Sequence, residues 1–147
     1  MAEWLNEAEV ASVLEKAKWI EEDVEWRRRP GYQEFSVEVR SESVGHAMVL
    51  KGVITEATGY FKLHLFAGSQ PIVMLHAGKV HHNPDCEKLH ERIHKHVWTD
   101  AYREKRAYVP TELTVSDWAS VFHGFLRECN IGFRGRFVAP AIQRRLW

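Results

Sequence analysis

Apolar residues recur every three or four positions near both ends of the chain, and this spacing is typical of helices that pack one face into a core. The residues that share a face in the N-terminal segment are Val10, Val13, Leu14, Ala17 and Ile20. Those that share a face in the C-terminal segment are Val115, Trp118, Phe122, Phe125, Leu126 and Cys129. The pattern therefore predicts one helix at each end of the chain.

Both predicted helices have a start signal, which is a capping residue followed three positions later by an acidic residue. Asn6 and Glu9 form this pair in the first helix, and Thr114 and Asp117 form it in the second. The cap accepts a hydrogen bond from a free N–H group of the first turn, and the carboxylate is favoured at the positive end of the helix dipole. We therefore expect the helices to begin directly after Asn6 and directly after Thr114.

Between the two helices the hydrophobic period changes to two, which is typical of half-buried strands. Alternation is clearest at residues 35–39 and 61–66, and fuller apolar runs lie at 48–54 and 71–75. Turn residues separate the runs, and such short connections make neighbouring strands antiparallel. Residues 22–29 are interpreted as an earlier strand, with Val24 and Trp26 facing inward, and the alternative is that they form the tail of the first helix.

The order of these elements predicts one α+β domain over residues 1–147. It consists of an N-terminal helix, an antiparallel β-meander of five or six strands, and a C-terminal helix packed on the sheet. Residues 132–147 follow as a basic and aromatic tail, which is ordered if its apolar side chains dock.

Charge is balanced over the whole chain but uneven along it. The charges of twenty basic and twenty acidic residues cancel, so the net charge does not favour binding to nucleic acid or to a membrane. Residues 1–25 carry eight acidic and two basic side chains, whereas residues 127–147 carry five arginines and one glutamate. We expect the two ends to attract each other, with a basic face for a polyanion as the sharper alternative.

Two cysteines give no disulfide framework, and the acidic start lacks a secretory signal. The apolar runs are too short to span a membrane. We therefore expect a cytoplasmic protein with reduced thiols and no membrane contact.

Five of the nine histidines lie between residues 80 and 98, and the backbone geometry there decides what they can do. As a helix, the segment would stack Cys86, His90 and His94 at four-residue spacing, as in the start of a zinc site. As a strand, it would present His90, Arg92, His94, His96 and Trp98 on one face. Leu89, Ile93 and Val97 would share the buried face in either geometry. The preceding strands favour the strand, and we do not expect the histidine face to be buried.

The strand geometry indicates metal-independent cleavage of RNA, which needs no cofactor. In this hypothesis His94 and His96 form the acid–base pair, and Arg92 and His81 assist by stabilising the phosphoryl charge. The residues assigned to substrate binding are Asn83, His90, Trp98 and Tyr102, of which Trp98 or Tyr102 would stack a base. A zinc site remains the alternative, formed by the Cys86 set or by His81, His82, His94 and His96.

Several short motifs follow one another in an order that carries a resemblance. They are a Leu-cap-x-x-Glu start at residues 5–9, His81 with Asn83, His94 with His96 and Thr99, Tyr108 with Pro110 and Thr111, and Cys-Asn-Ile at 129–131. Over residues 4–131 the chain resembles an uncharacterised prokaryotic family of short proteins of unknown function. The family is similar to small proteins of toxin–antitoxin and defence loci.

The resemblance implies a small intracellular toxin-type or defence-type protein that acts on RNA, an endoribonuclease if it is an enzyme. It also implies a cognate protein partner such as an antitoxin. A non-catalytic interaction or inhibitor module remains a second possibility, since the chain is small, neutral and holds six tryptophans. The sequence leaves the oligomeric state open.

Overall fold

The structure is a computed structural model, and it describes residues 4–78, 81–82, 88–89, 93–108 and 117–141, with only the backbone at 81–82 and 88–89. At its centre is a seven-stranded antiparallel sheet. From one edge to the other its strands are β2 (Arg27–Arg29), β3 (Tyr32–Val39), β4 (Met48–Thr55), β5 (Phe61–Ala67), β6 (Gln70–Ala77), β9 (Ile93–Val97) and β10 (Ala107–Tyr108). Spatial order follows chain order from β2 to β6, so this part is a meander, as predicted.

The α+β class is confirmed, but the predicted count of five or six strands is too low. Besides the seven-stranded sheet, β1 (Lys18–Ile20) pairs in parallel with β11 (Ile131–Phe133). A further antiparallel pair consists of β7 (His81–His82) and β8 (Lys88–Leu89). The added strands have two or three residues each, which is too short for an alternating pattern to indicate them.

The first helix, α1 (Glu7–Glu15), begins as predicted. The Asn6 side chain accepts a hydrogen bond from the Glu9 N–H at 2.8 Å, and the Glu9 carboxylate accepts one from the Asn6 N–H at 3.1 Å. The helix ends earlier than its apolar spacing predicts, because residues 18–20 pair with residues 131–133 instead. The buried Lys18 ammonium donates hydrogen bonds to carbonyls in the last turn and the cap, those of Val13 (2.6 Å) and Lys16 (2.5 Å) among them.

The second helix, α2 (Trp118–Glu128), begins later than expected, and the described part of its predicted stripe packs into the core. Val115 of that stripe lies outside the described residues. Its N-cap is Asp117, whose carboxylate accepts a hydrogen bond from the Ser120 N–H at 2.7 Å. The assignment of Asp117 to the third helical position is therefore wrong, while Thr114 lies outside the described residues. Aspartate caps a helix at least as well as threonine, and this bond lowers the pKa of Asp117.

The core lies between one face of the sheet and the two helices. Trp118, Phe122, Phe125 and Leu126 are all buried against it. On the sheet, the Phe35 ring lies over Gly52, where any Cβ would overlap that ring. Glycine at this position therefore makes room for an aromatic side chain across the strands.

The acidic start and the basic end of the chain do attract each other, as expected. Arg134 forms an ion pair with Glu21, and Arg136 forms one with Asp23 at 4.0 Å. These pairs are exposed, so each contributes little stability by itself. The docking of the tail depends more on Phe133 and Phe137, which pack against the core.

The described helices include none with the length and apolar character that a membrane span requires.

Candidate metal centre

The strand that carries the predicted site has period-two geometry, as expected. Residues 93–97 pair with β6 on one side, and β10 pairs with the other side of the same strand. The helical alternative is therefore wrong for these five residues. His94 and His96 point to one face of the sheet, and Lys95 points to the other.

The sheet register brings two further histidines to the same face. In one cross-strand row, Lys51, His64, Met74 and His96 lie directly opposite one another on β4, β5, β6 and β9. In the adjacent row the corresponding residues are Val53, Lys62, His76 and His94. The histidine cluster is defined here as His64, His76, His94 and His96. It was only half predicted, because His64 and His76 lie outside the histidine-rich segment.

The four rings of the histidine cluster are in contact. Ring centroids are 4.7 Å apart for His76 and His96, 5.2 Å for His94 and His96, and 5.5 Å for His76 and His94. One ring nitrogen from each of these three residues lies within 4.8 Å of the other two. His64 extends the cluster through a 2.9 Å hydrogen bond between its Nε2 and the Nε2 of His76.

Burial of the cluster corrects the expectation that this face would be open. His94 is 2% exposed and His96 is 4% exposed, and His94 Nδ1 and His96 Nε2 are both buried. The chain segment after β9 contributes to this burial, because it brings the Glu104 carbonyl oxygen to 2.7 Å from His96 Nδ1. His64 and His76 are half-buried.

Burial also keeps two of the rings neutral. It lowers the pKa of His64 to about 4, and the positive charge of Lys62 adds to the effect. Burial together with the neighbouring imidazoles lowers the pKa of His76 to about 2. At neutral pH both rings are therefore in the neutral form, which is the form of histidine that binds metal ions. One of the two rings donates the hydrogen bond that joins them, and the other accepts it with its lone pair.

The tautomer of His96 follows from its hydrogen bond. A carbonyl oxygen only accepts, so the Nδ1 that contacts Glu104 carries the proton. In the neutral ring, Nε2 then has the lone pair and can ligate. Metal-bound histidines commonly donate their other ring N–H to a backbone carbonyl, which fixes the orientation of the ring.

Two residues predicted to bind substrate, Trp98 and Tyr102, lie in the described part of the chain. Trp98 is only 6% exposed and packs edge-to-face on Trp4 at 5.3 Å, so its ring faces are not open to a base. Tyr102 is half-buried, and the Arg106 guanidinium lies 5.8 Å from its ring centroid.

The other predicted site residues lie outside the described residues or are described by their backbone alone. Cys86, Asn83, His90 and Arg92 lie outside the described residues, so both the Cys86 zinc set and the Arg92 role stay predictions. His81 and His82 form β7, and only their backbone is described.

The inward face of β9 holds a residue that hydrophobic patterning missed. Lys95 is buried between the half-buried Ile93 and Val97, and its ammonium lies 2.6 Å from the Glu128 carboxylate on α2. Burial alone would lower the pKa of Lys95, but the hydrogen bond to Glu128 and the negative charge of its carboxylate oppose burial, and this pKa is raised. Burial also raises the pKa of the Cys129 thiol to about 12, so the thiol stays protonated.

The fold and the site define an α+β protein with a buried histidine cluster on one face of an antiparallel sheet. Residues 5–131 match the model of a family of unknown function, DUF6978, and the chain belongs to this family. No curated protein and no solved structure matches the chain significantly. The predicted membership of a family of unknown function is confirmed, while a prokaryotic origin and a link to toxin or defence loci stay predictions.

Proposed function

We propose that this protein binds a divalent transition metal ion, zinc by the chemistry of its donors, through His76, His94 and His96. The observation that carries the proposal is the meeting of three ligand nitrogens within 4.8 Å of one another. Ligand nitrogens about 2.0–2.1 Å from a tetrahedral zinc ion are about 3.3 Å apart. Rotation of the three rings by a small angle therefore suffices to close the site around an ion.

The donor set favours zinc and similar metals over calcium or magnesium. Imidazole suits zinc, copper, nickel and iron, whereas calcium and magnesium require oxygen ligands. Among the described residues the ligand group consists of histidines and includes no carboxylate. Three histidines with a fourth position open to a small molecule is the arrangement of several catalytic zinc sites, while structural sites have four protein ligands.

The surroundings of the three rings support the same proposal. The Glu104 carbonyl orients His96, and His64 is hydrogen-bonded to His76 at 2.9 Å. His64 is therefore placed to hold His76 in its orientation. This role explains a half-buried, neutral imidazole next to the three ligands.

Calorimetric titration of zinc into metal-free protein without a histidine tag tests the proposal. We expect saturation at one zinc ion per chain, because the ligands form one site. His46→Ala serves as the matched control, since His46 is exposed and remote from the histidine cluster, and it should bind zinc with unchanged affinity. Absence of saturable binding in the parent protein would refute the proposed function.

The RNA-directed functions stay predictions beside this proposal. A metal-independent ribonuclease would need His94 and His96 to reach a phosphodiester, and both rings are buried. A cognate antitoxin-like partner and a non-catalytic interaction module also stay predictions. The metal site is preferred because its ligands are already gathered, whereas RNA cleavage needs them to become exposed.

A further inference from the structure

Two lysines lie beside the histidine cluster on the same face of the sheet. Lys62 is directly opposite His76, and Lys51 is directly opposite His64. Residues paired in this way on one face have Cβ atoms about 4.5–5.5 Å apart. Both ammonium groups therefore act on the cluster at short range.

Exposure increases steadily from the buried ligands to the lysines. His94 and His96 are buried, His76, His64 and Lys62 are half-buried, and Lys51 is exposed. The histidine cluster therefore opens to solvent at the side where the two lysines lie. We call this opening, lined by Lys51, Lys62 and His64, the lysine mouth.

The lysines of the lysine mouth form no ion pair within the part of the protein that the structure describes. No carboxylate there lies within ion-pair distance of Lys51 or Lys62, and the Lys51 ammonium lies 5.3 Å from the Phe66 ring centroid. Acidic residues on β3 have other partners, because Glu34 pairs with Arg29 and Glu38 pairs with Arg40.

We propose that the lysine mouth binds a phosphate-type oxyanion, which takes the open fourth position on the metal ion. This inference rests on the proposed metal site. Three neutral imidazoles leave the full charge of a divalent ion in place, and two ammonium groups add to it. Such a concentration of positive charge favours a multiply charged oxyanion over a singly charged carboxylate, because the Coulomb term scales with ligand charge. Lysine is a common point-charge ligand for phosphate.

Binding of inorganic phosphate to the cobalt-loaded full-length protein tests the inference. Cobalt accepts the same imidazole ligands as zinc, and its paramagnetism broadens the ³¹P resonance of phosphate bound beside it. We expect saturable broadening in the parent protein, and a loss of phosphate affinity of about tenfold in Lys62→Gln, because one charged contact disappears. Lys16→Gln is the matched control, since this half-buried lysine is the C-cap of α1, its ammonium donates to the Ser43 carbonyl, and it lies outside the histidine cluster.

The outcomes separate the inference from the proposed function. Equal phosphate affinity in the parent protein and in Lys62→Gln would overturn the inference, as would displacement of phosphate by an equal concentration of acetate. If zinc binds at one ion per chain but the ³¹P resonance of phosphate does not broaden with the cobalt-loaded protein, the inference alone fails. If no metal binds, both fail.

Discussion

We expect Lys95→Met to lower the free energy of unfolding by about 3–5 kcal/mol. The substitution removes one partner of an ion pair whose side chains are 7% and 11% exposed, while the methionine keeps most of the lysine volume. The Glu128 carboxylate then loses its cation in a site that water hardly reaches. Lys95 lies between His94 and His96 on β9. Its ion pair therefore also anchors this strand, which carries two of the three proposed ligands, to α2.

Urea unfolding of three variants measures this effect. The double variant Lys95→Met with Glu128→Leu should recover most of the loss, because replacing a whole buried pair by apolar side chains is often neutral or stabilising. Arg40→Met is the control for a surface pair, since Arg40 and Glu38 are exposed and 3.7 Å apart, and it should cost about 1 kcal/mol or less. A cost below about 1 kcal/mol for Lys95→Met would contradict the role assigned to this pair.

We expect His96→Asn to weaken zinc binding at least about 100-fold. The amide N–H of asparagine takes the place of imidazole Nδ1–H, so the hydrogen bond to the Glu104 carbonyl can persist while the ligating Nε2 is lost. Loss of a partner that only orients a ligand typically costs about 10–100-fold in metal affinity, so loss of a ligand itself costs at least as much.

A competition titration against a chromophoric chelator measures this affinity. His123→Asn is the matched control, because His123 is exposed on α2 and lies outside the histidine cluster. Urea unfolding of metal-free His96→Asn shows separately whether the fold is retained. Nearly equal zinc affinity in a folded His96→Asn and in the parent protein would remove His96 from the ligand set.

Local patterns in the sequence predicted most of the long elements of the fold. The Asn6 and Glu9 pair marked the start of α1, alternation marked β3 and β5, and continuous apolar runs marked β4 and β6. The end of α1 was missed because Ala17 and Ile20 fit helical spacing, whereas residues 18–20 form a strand whose partner lies more than 100 residues away. A contact between positions so distant leaves no local signature.

The candidate site was predicted only in part for a related reason. Period two placed His94 and His96 together, but it did not relate them to His64 or His76 on other strands. That relation requires the register across β5, β6 and β9, which hydrophobic alternation alone does not give. The available signal was a histidine on each of two neighbouring predicted strands, namely His64 on the segment of β5 and His76 on the segment of β6. The burial of Lys95 was missed because its partner, Glu128, lies on a helix distant in sequence.

X-ray absorption at the zinc edge of the zinc-loaded protein tests the central claim most directly. We predict a first shell that contains three imidazole nitrogens at about 2.0–2.1 Å. A sulfur ligand at about 2.3 Å would instead indicate a cysteine set such as the one with Cys86. That result, or a shell without imidazole, would contradict the site formed by His76, His94 and His96.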